Sequence, residues 1–346
     1  MDRTASPYGT HRVLEPAGAL PQAAWRLDNA APLFDNEILV DVNALNVDAA
    51  SFTQLEQQAQ GDAARLGELV LDIVRRRGKL HNPVTGSGGM LIGTVRAIGA
   101  ALAGRIALAP GDRIATLVSL SLTPLRIDAI RAVRLDCDQI EIDGQAVLFE
   151  TGLFARLPPD IPEKVALAVL DVAGAPAQTA RLVRPGDTVV VIGGGGKSGT
   201  LCIFEARKRC GPRGRVIGVS PFQADCERMR ALGWADHALQ VDATRALEVM
   251  QAVAGCTGGR MADVVINCVN APDTEMASIL SARDGGRIYF FSMATSFTAA
   301  ALGAEGVGKD VDMLVGNGYA LGHADYALGL LRESPALREL FGARYA

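Results

Sequence analysis

Asp187-Thr188-Val189-Val190-Val191-Ile192-Gly193-Gly194-Gly195-Gly196-Lys197-Ser198-Gly199-Thr200 decides how this chain folds. Thr188 to Ile192 is a β-branched run, the glycines give a tight turn, and Leu201, Ile203, Phe204 and Ala206 follow in a helical pattern. Strand, turn and helix start make the layout of a dinucleotide cradle. The backbone must bend sharply and approach a pyrophosphate closely, while the helix offers free N–H groups and its positive dipole end. Gly194, Gly196 and Gly199 satisfy G-x-G-x-x-G in the context that motif requires. A triphosphate loop competes, because Gly196-Lys197-Ser198 ends like G-x-x-x-x-G-K-[ST], but the first glycine of that pattern is Val191. The bland alternative is a glycine-rich turn in an ordinary α/β unit.

Outward from this stretch, strands and helices alternate. Helix is expected over Glu163 to Leu182, Leu201 to Arg209, Asp225 to Leu232, Thr244 to Val253 and Asp273 to Ser281. Strand is expected over Val216 to Ser220, Asp236 to Leu239, Ala262 to Cys268 and Gly286 to Ser292. That alternation predicts a doubly wound parallel sheet. The segments Val311 to Asn317 and Tyr326 to Arg332 either complete the sheet or return to the first domain.

Before Pro158 the pattern changes to short strands: Ile38 to Asn43, Gly93 to Ala97, Arg113 to Val118, Gln139 to Ile142 and Ala146 to Phe149, the last two separated by a turn at Asp143-Gly144. One helix, Asp62 to Arg77, interrupts them, with Leu66, Leu69, Val70, Ile73 and Val74 at helical spacing. Its closing Arg75-Arg76-Arg77 reads as a solvated C-terminus favoured by the helix dipole. The fold class is therefore α/β, a mainly β domain over 1–160 followed by a Rossmann domain over 161–310 and a C-terminal segment over 311–346.

With 346 residues, 49% of them hydrophobic, the chain buries a large core. A net charge of -4 without a basic stripe argues against nucleic acid. No apolar run approaches a membrane span and Met1-Asp2-Arg3-Thr4 begins no signal peptide, so a cytoplasmic location is expected. The six cysteines form no C-x-x-C pair and the four histidines no ligand spacing, so reduced thiols are the better account. A homodimer is expected from chain size alone.

The strand at Val216 to Ser220 ends without the Asp or Glu that usually reads the adenosine ribose. Ser220 neither binds a ribose diol as a carboxylate does nor repels a 2′-phosphate, so the expected cofactor is NADP at least as readily as NAD. Asp225, five residues on, is the one acid that could swing back. Asn267-Cys268-Val269-Asn270 and Phe291-Ser292-Met293 end strands on the side where ligands bind in such sheets. The cofactor set is thus Gly194, Gly195, Gly196, Lys197, Ser198, Gly199, Ser220, Cys268, Val269, Asn270, Ser292 and Met293. Cys268 reads as a packing residue, since nothing near it in sequence activates a thiolate.

The order of the two domains, with Pro110-Gly111-Asp112-Arg113-Ile114 and Arg184-Pro185-Gly186-Asp187, resembles the medium-chain dehydrogenase/reductase superfamily, whose first domain is GroES-like. The zinc members of that superfamily carry Gly-His-Glu where this chain has Gly88-Gly89-Met90. Ala44 to Asp48 offers no metal cysteine, and the four-cysteine lobe is missing, so no zinc is expected. Tyr8 to Pro16, Leu20-Pro21-Gln22, Leu45 to Phe52, His81 to Met90 and the Gly193 to Gly199 turn are similar to the L-erythro-3,5-diaminohexanoate dehydrogenases of lysine fermentation. The resemblance implies NAD(P)-dependent oxidative deamination of a small diamino acid to 5-amino-3-oxohexanoate and ammonia. A zinc-independent quinone or enoyl reductase, which needs no ammonium partner, is the alternative enzyme. A silent NAD(P)-binding protein is the alternative from another class.

The expected substrate carries one carboxylate and two amines, and its pocket needs an anion donor, a cation partner and a base. Asn46, Asp48 and Ser51 lie in the segment that faces the nicotinamide in the superfamily, which makes Asp48 the first candidate base or ammonium partner. Lys79 and His81 are further candidates, a lysine of lowered pKa or an imidazole titrating near neutrality. Asn82, Thr85 and Ser87 are expected to line the substrate, the last with the N–H groups of Gly86, Gly88 and Gly89 as an anion nest. Asp171 interrupts an apolar run and is costly to bury alone, which marks it as an amine-binding candidate. Each has a blander reading as a surface acid, a loop cation, a backbone-bonded histidine or a tight turn.

Overall fold

The computed structural model describes residues 4–316 and 318–345, which fall into two compact units, 4–159 and 160–345. Among the described residues no helix is long and apolar enough to cross a membrane.

The first unit contains β1 (Val13–Glu15), β2 (Arg26–Leu27), β3 (Glu37–Asn46), α1 (Ala49–Ala59), α2 (Ala63–Arg77), β4 (Met90–Ile98), β5 (Arg113–Thr116), β6 (Leu125–Arg134), β7 (Gln139–Phe149) and β8 (Phe154–Arg156). Six of these strands form an antiparallel sheet in the order β6-β7-β3-β4-β5-β8. Phe52 and Leu55 of α1 and Leu66, Val70 and Val74 of α2 share one core with Val40, Val42 and Leu45 of the sheet. Each such side chain contributes about 1.5–3 kcal/mol by leaving water.

The segment before β3 is fixed by a buried ion pair. Arg12 Nη2 lies 2.5 Å from Glu37 Oε2 with both side chains about 1% exposed. The guanidinium also donates to the carbonyls of Asp28, Ala31 and Pro32. Burial alone would raise the Glu37 pKa, but Arg12, the Phe34 N–H and His11 hold it below the usual range.

Two strand readings change. Gln139 to Phe149 is one strand running through Asp143 and Gly144, with no turn. Gly144 is there for closeness, since a Cβ on it would sit 2.3 Å from the Arg126 carbonyl on β6. The β6 strand itself, unforeseen, pairs with β7 through two register shifts that break its apolar alternation.

In the second unit come α3 (Glu163–Leu170), α4 (Gly174–Leu182), β9 (Thr188–Ile192), α5 (Lys197–Cys210), β10 (Arg215–Ser220), α6 (Gln223–Leu232), β11 (His237–Gln240), α7 (Ala246–Thr257), β12 (Ala262–Asn267), α8 (Glu275–Ser281), β13 (Ala282–Phe290), α9 (Phe297–Gly306), β14 (Val311–Val315), α10 (His323–Glu333) and α11 (Pro335–Tyr345). The parallel sheet runs β11-β10-β9-β12-β13-β14, the doubly wound order that reverses between β9 and β12. Successive residues of β9 serve opposite faces. Val190 and Ile192 pack with Val249 of α7 and Ile279 of α8, while Val189 and Val191 pack with Cys202 and Ala206 of α5. A strand covered on both faces must be apolar throughout, which is why Val189 to Ile192 read so clearly.

The helix expected over Glu163 to Leu182 is two helices. Pro176 has no N–H to return to Val172, yet fits the first turn of α4. Residues 311–345 stay in this unit, where β14 adds to the sheet and α10 and α11 pack beside α3. Asn317, where the first tail segment was expected to end, lies outside the described residues.

Candidate active site

In the first unit the chain leaves β3 at Asn46 and enters α1 through Asp48. Asp48 is the N-cap of α1, and its Oδ1 accepts the Ser51 N–H at 2.9 Å. Its other oxygen, Oδ2, is buried and has no hydrogen-bond partner. An ionised carboxylate oxygen left unpaired is costly, so it is open to a proton or a cation.

The loop before β4 lies against this corner. Gly89, at φ 85°, lets it approach, because a Cβ there would be 2.1 Å from the Asn46 carbonyl and 2.7 Å from the Asp48 nitrogen. Asn82 Nδ2 donates to the Ser51 carbonyl at 3.3 Å and to Gln54 Oε1 at 2.8 Å. Asn82 Oδ1 accepts the N–H groups of Val84 and Thr85. The hydroxyls of Ser51 and Thr85 meet at 2.5 Å, and Asn46 Oδ1 accepts from Gln139. Asn46, Asp48, Ser51, Asn82 and Thr85 therefore form one corner of hydrogen-bonding groups.

Other candidates of this unit stand elsewhere. Lys79 is fully buried, and its ammonium donates to the Pro21 carbonyl at 2.7 Å and to that of Gln22 at 3.3 Å. Burial, then the charge of Arg77, pulls its pKa down to about 8. Enclosed and held by carbonyls, this ammonium acts as a strut, and the structure does not leave it free for the part of base for which Lys79 is a candidate. The anion nest is also reduced, since Gly86 N–H is committed to the Asn82 carbonyl.

Burial, Arg77 and Lys79 push the His81 pKa to about 4, below neutrality rather than near it. Its Nδ1 is buried and unpartnered. In the unfolded chain His81 takes a proton near 6.5, and in the folded chain only near 4. The stability carried by its neutral form is thus complete above pH 6.5 and is lost as pH falls towards 4. Between those values the protein is expected to lose about 1–2 kcal/mol more than a His81→Gln variant. Parallel urea titrations of the two proteins check this, and superimposable pH profiles refute it.

In the second unit Gly193 and Gly194 both donate to the Val219 carbonyl, which pins the turn against β10. α5 begins after Gly196 with no side chain capping it, and a Cβ on Gly196 would meet nothing nearer than 3.7 Å. Uncapped N–H groups beside open space fit a dinucleotide phosphate. Gly199 serves packing instead, because its Cβ would lie 2.0 Å from the Gly193 carbonyl. A Cβ on Gly193 would touch Val269 and Cys268 at 3.0 and 3.2 Å, so the end of β12 adjoins the turn. Asn270 is exposed and Met293 is 89% exposed at neighbouring strand ends, while Ser292 Oγ accepts the Ala294 N–H. Asn267 is buried and holds Thr274 and Ser278, so it anchors the loop and does not line the site. Cys268 faces Cys202 with the sulfurs 4.0 Å apart.

Ser198 is buried in the first turn of α5. Lys197 Nζ lies 2.6 Å from Asp171 Oδ2. Asp171 thus ends α3 at the surface, 39% exposed, and the cation it meets is Lys197 of the same unit. Ser220 Oγ donates to Asp225 Oδ2 at 2.7 Å, and Asp225 is ion-paired with Arg228. Arg228 and Arg344 were missed. They are 33 and 149 residues from the turn they reach, and neither belongs to a pattern. Among the described residues no group of three or more His, Cys, Asp or Glu is placed to hold a metal ion.

Residues 11–158 match the family described as L-erythro-3,5-diaminohexanoate dehydrogenase N-terminal domain, and residues 199–307 match the zinc-binding dehydrogenase family. The chain is 55% identical over 338 residues to the L-erythro-3,5-diaminohexanoate dehydrogenase of Acetoanaerobium sticklandii, 98% of each chain being covered. It is 54% identical to that of Fusobacterium nucleatum subsp. nucleatum with the same coverage. Among solved structures, AibC is similar in fold, with a TM-score of 0.55 at 20% identity over 89% of this chain and 83% of that one.

Proposed function

Because this chain belongs to the family of L-erythro-3,5-diaminohexanoate dehydrogenases, we propose that it oxidises L-erythro-3,5-diaminohexanoate to 5-amino-3-oxohexanoate with release of ammonia. It is an oxidoreductase that acts on an amino group with a nicotinamide cofactor. The glycine turn from Gly193 to Gly199 and the start of α5 hold the cofactor, which when bound supplies the hydride acceptor.

One observation carries the assignment of residues: Asp48 Oδ2 is buried without a partner in the corner built from the family's own sequence blocks. Asp48 takes the proton that the substrate 3-ammonium must lose before its carbon can give up hydride. After passing that proton to solvent, Asp48 removes a proton from the water that adds to the iminium carbon and returns it to the amino nitrogen. The carbinolamine collapses to the ketone as ammonia leaves and its hydroxyl proton passes back to Asp48. Ser51, Thr85 and Asn46 orient the substrate's amines and carboxylate around Asp48, while Asn82, its amide spent on Ser51, Gln54, Val84 and Thr85, fixes the corner. Gly89 and Met90 occupy the His and Glu positions of the zinc members, which leaves polarisation of the substrate to these side chains.

The purified protein, given the diamino acid with NAD or NADP, is expected to form reduced nicotinamide and ammonia in equal amounts. No reaction with the diamino acid, together with oxidation of NADPH by a quinone or an enoyl substrate, would point to the reductase alternative. Nucleotide binding with no turnover would leave a silent binding protein.

A further inference from the structure

Asn46 ends β3, where its register partners are Gln139 on β7 and Met90 on β4. Residues directly opposite on neighbouring strands share a face of the sheet. The next residue along each strand, or the one before it, is in the core: Leu45, Ile140 and Leu91. Asn46, Gln139 and Met90 therefore lie on the other face, and there Gln139 Nε2 donates to Asn46 Oδ1 at 3.3 Å. A primary amide has one oxygen that accepts and two N–H groups that donate, so two amides side by side can pair either way round. Here the Asn46 oxygen is the one taken. Its Nδ2 forms no hydrogen bond among the described residues, and both N–H groups are turned away from Gln139.

Other donors around Asp48 are largely committed. The Asn82 amide donates to Ser51 and Gln54, the Gly86 N–H to the Asn82 carbonyl, and the Lys79 ammonium to the carbonyls of Pro21 and Gln22. Resting on the substrate reading above, we propose that Gln139 is a positioning residue, which turns the Asn46 amide so that its N–H groups receive the substrate carboxylate. Asp48, two residues on, takes the 3-ammonium. In a 3-amino acid a single methylene separates the carboxyl carbon from the carbon that bears the reacting amine, so the two groups need neighbouring seats. A donor and an acceptor at the end of one strand supply them. Hydrogen bonds from an amide to a carboxylate are charge-assisted and stronger than neutral ones. With the amides paired the other way, Asn46 would present its oxygen to the carboxylate and repel it. Gln139 acts through Asn46 and not on the substrate itself.

Steady-state kinetics of the purified full chain test this, with the diamino acid compared with its methyl ester, which keeps both amines and loses the negative charge. The wild-type protein is expected to prefer the acid by at least about tenfold in kcat/KM. Gln139→Glu can only accept, so it draws the Asn46 N–H groups to itself. KM for the acid then rises about tenfold, while kcat, and KM for the ester, stay within about twofold. Gln139→Met releases the Asn46 amide without reversing it and raises KM for the acid by about threefold. In an Asn46→Ala background Gln139→Glu has no further effect, because its action runs through Asn46. Equal use of acid and ester by the wild-type protein, an unchanged KM in Gln139→Glu, or the full effect of Gln139→Glu persisting in Asn46→Ala overturns the proposal. Failure of the wild-type protein to release ammonia from the diamino acid overturns the substrate reading on which it rests.

Discussion

Asp48→Asn is expected to lower kcat for the diamino acid by about two to four powers of ten and to leave the melting temperature nearly unchanged. Asparagine caps a helix about as well as aspartate, so its amide oxygen can still accept the Ser51 N–H that Asp48 Oδ1 accepts at 2.9 Å. What disappears is the charge and basicity at the unpartnered Oδ2. The chemistry and the cap are separable at this residue, which makes the substitution diagnostic. A kcat within about threefold of wild type, measured on a protein of normal stability, would remove Asp48 from the reaction and leave it as a cap alone.

The second large effect is at Gly199. A Gly to Ala change inside a helix ordinarily stabilises by about 0.5–1 kcal/mol. At Gly199 the added methyl would sit 2.0 Å from the Gly193 carbonyl and 2.8 Å from the Gly194 Cα, both backbone atoms that cannot rotate away. The start of α5 must then lift off the turn, carrying the phosphate-binding N–H groups with it. Binding of reduced nicotinamide is expected to weaken by about a hundredfold or more, the loss of two or more charge-assisted hydrogen bonds. Gly255→Ala is the matched control, since Gly255 lies in α7 with nothing within 4 Å of its Cβ position. That variant should gain the ordinary helix increment and bind nucleotide normally. Unimpaired binding by Gly199→Ala refutes the packing argument.

The second unit was legible because its chemistry is written locally. The middle of a strand covered on both faces is apolar, and Val189 to Ile192 together with Val264 to Ile266 could hardly read otherwise. The break between α3 and α4 was hidden because Leu170 to Ala175 keep helical composition, and the deciding Pro176 acts on the residue four before it. α9 escaped notice because its alanines, threonine and glycines give it little apolar stripe.

The site was legible in residue type more than in placement. Asn46, Asp48, Ser51, Asn82 and Thr85 were named from two separate blocks, and the structure brings those blocks into contact. Lys79 carried the right chemistry for a base, but burial beneath Pro21 and Gln22 is a tertiary fact that no local pattern encodes. Arg344 reaches Gly195 only because α11 folds back within its unit.

The connection from β3 to β4, residues 47–89, has a kinetic meaning. These strands are antiparallel neighbours, yet a helical hairpin separates them in the chain, so their pairing closes a long loop where a tight turn would have closed a short one. Every contact that joins Asn46, Asp48 and Ser51 to Asn82, Thr85 and Gly89 spans that loop. The loop that β3 closes against β7 is longer still, from Asn46 to Gln139, so the corner does not wait for the whole sheet. It assembles as β4 comes back against β3 with α1 and α2 enclosed between them, and it is lost when that one pairing opens.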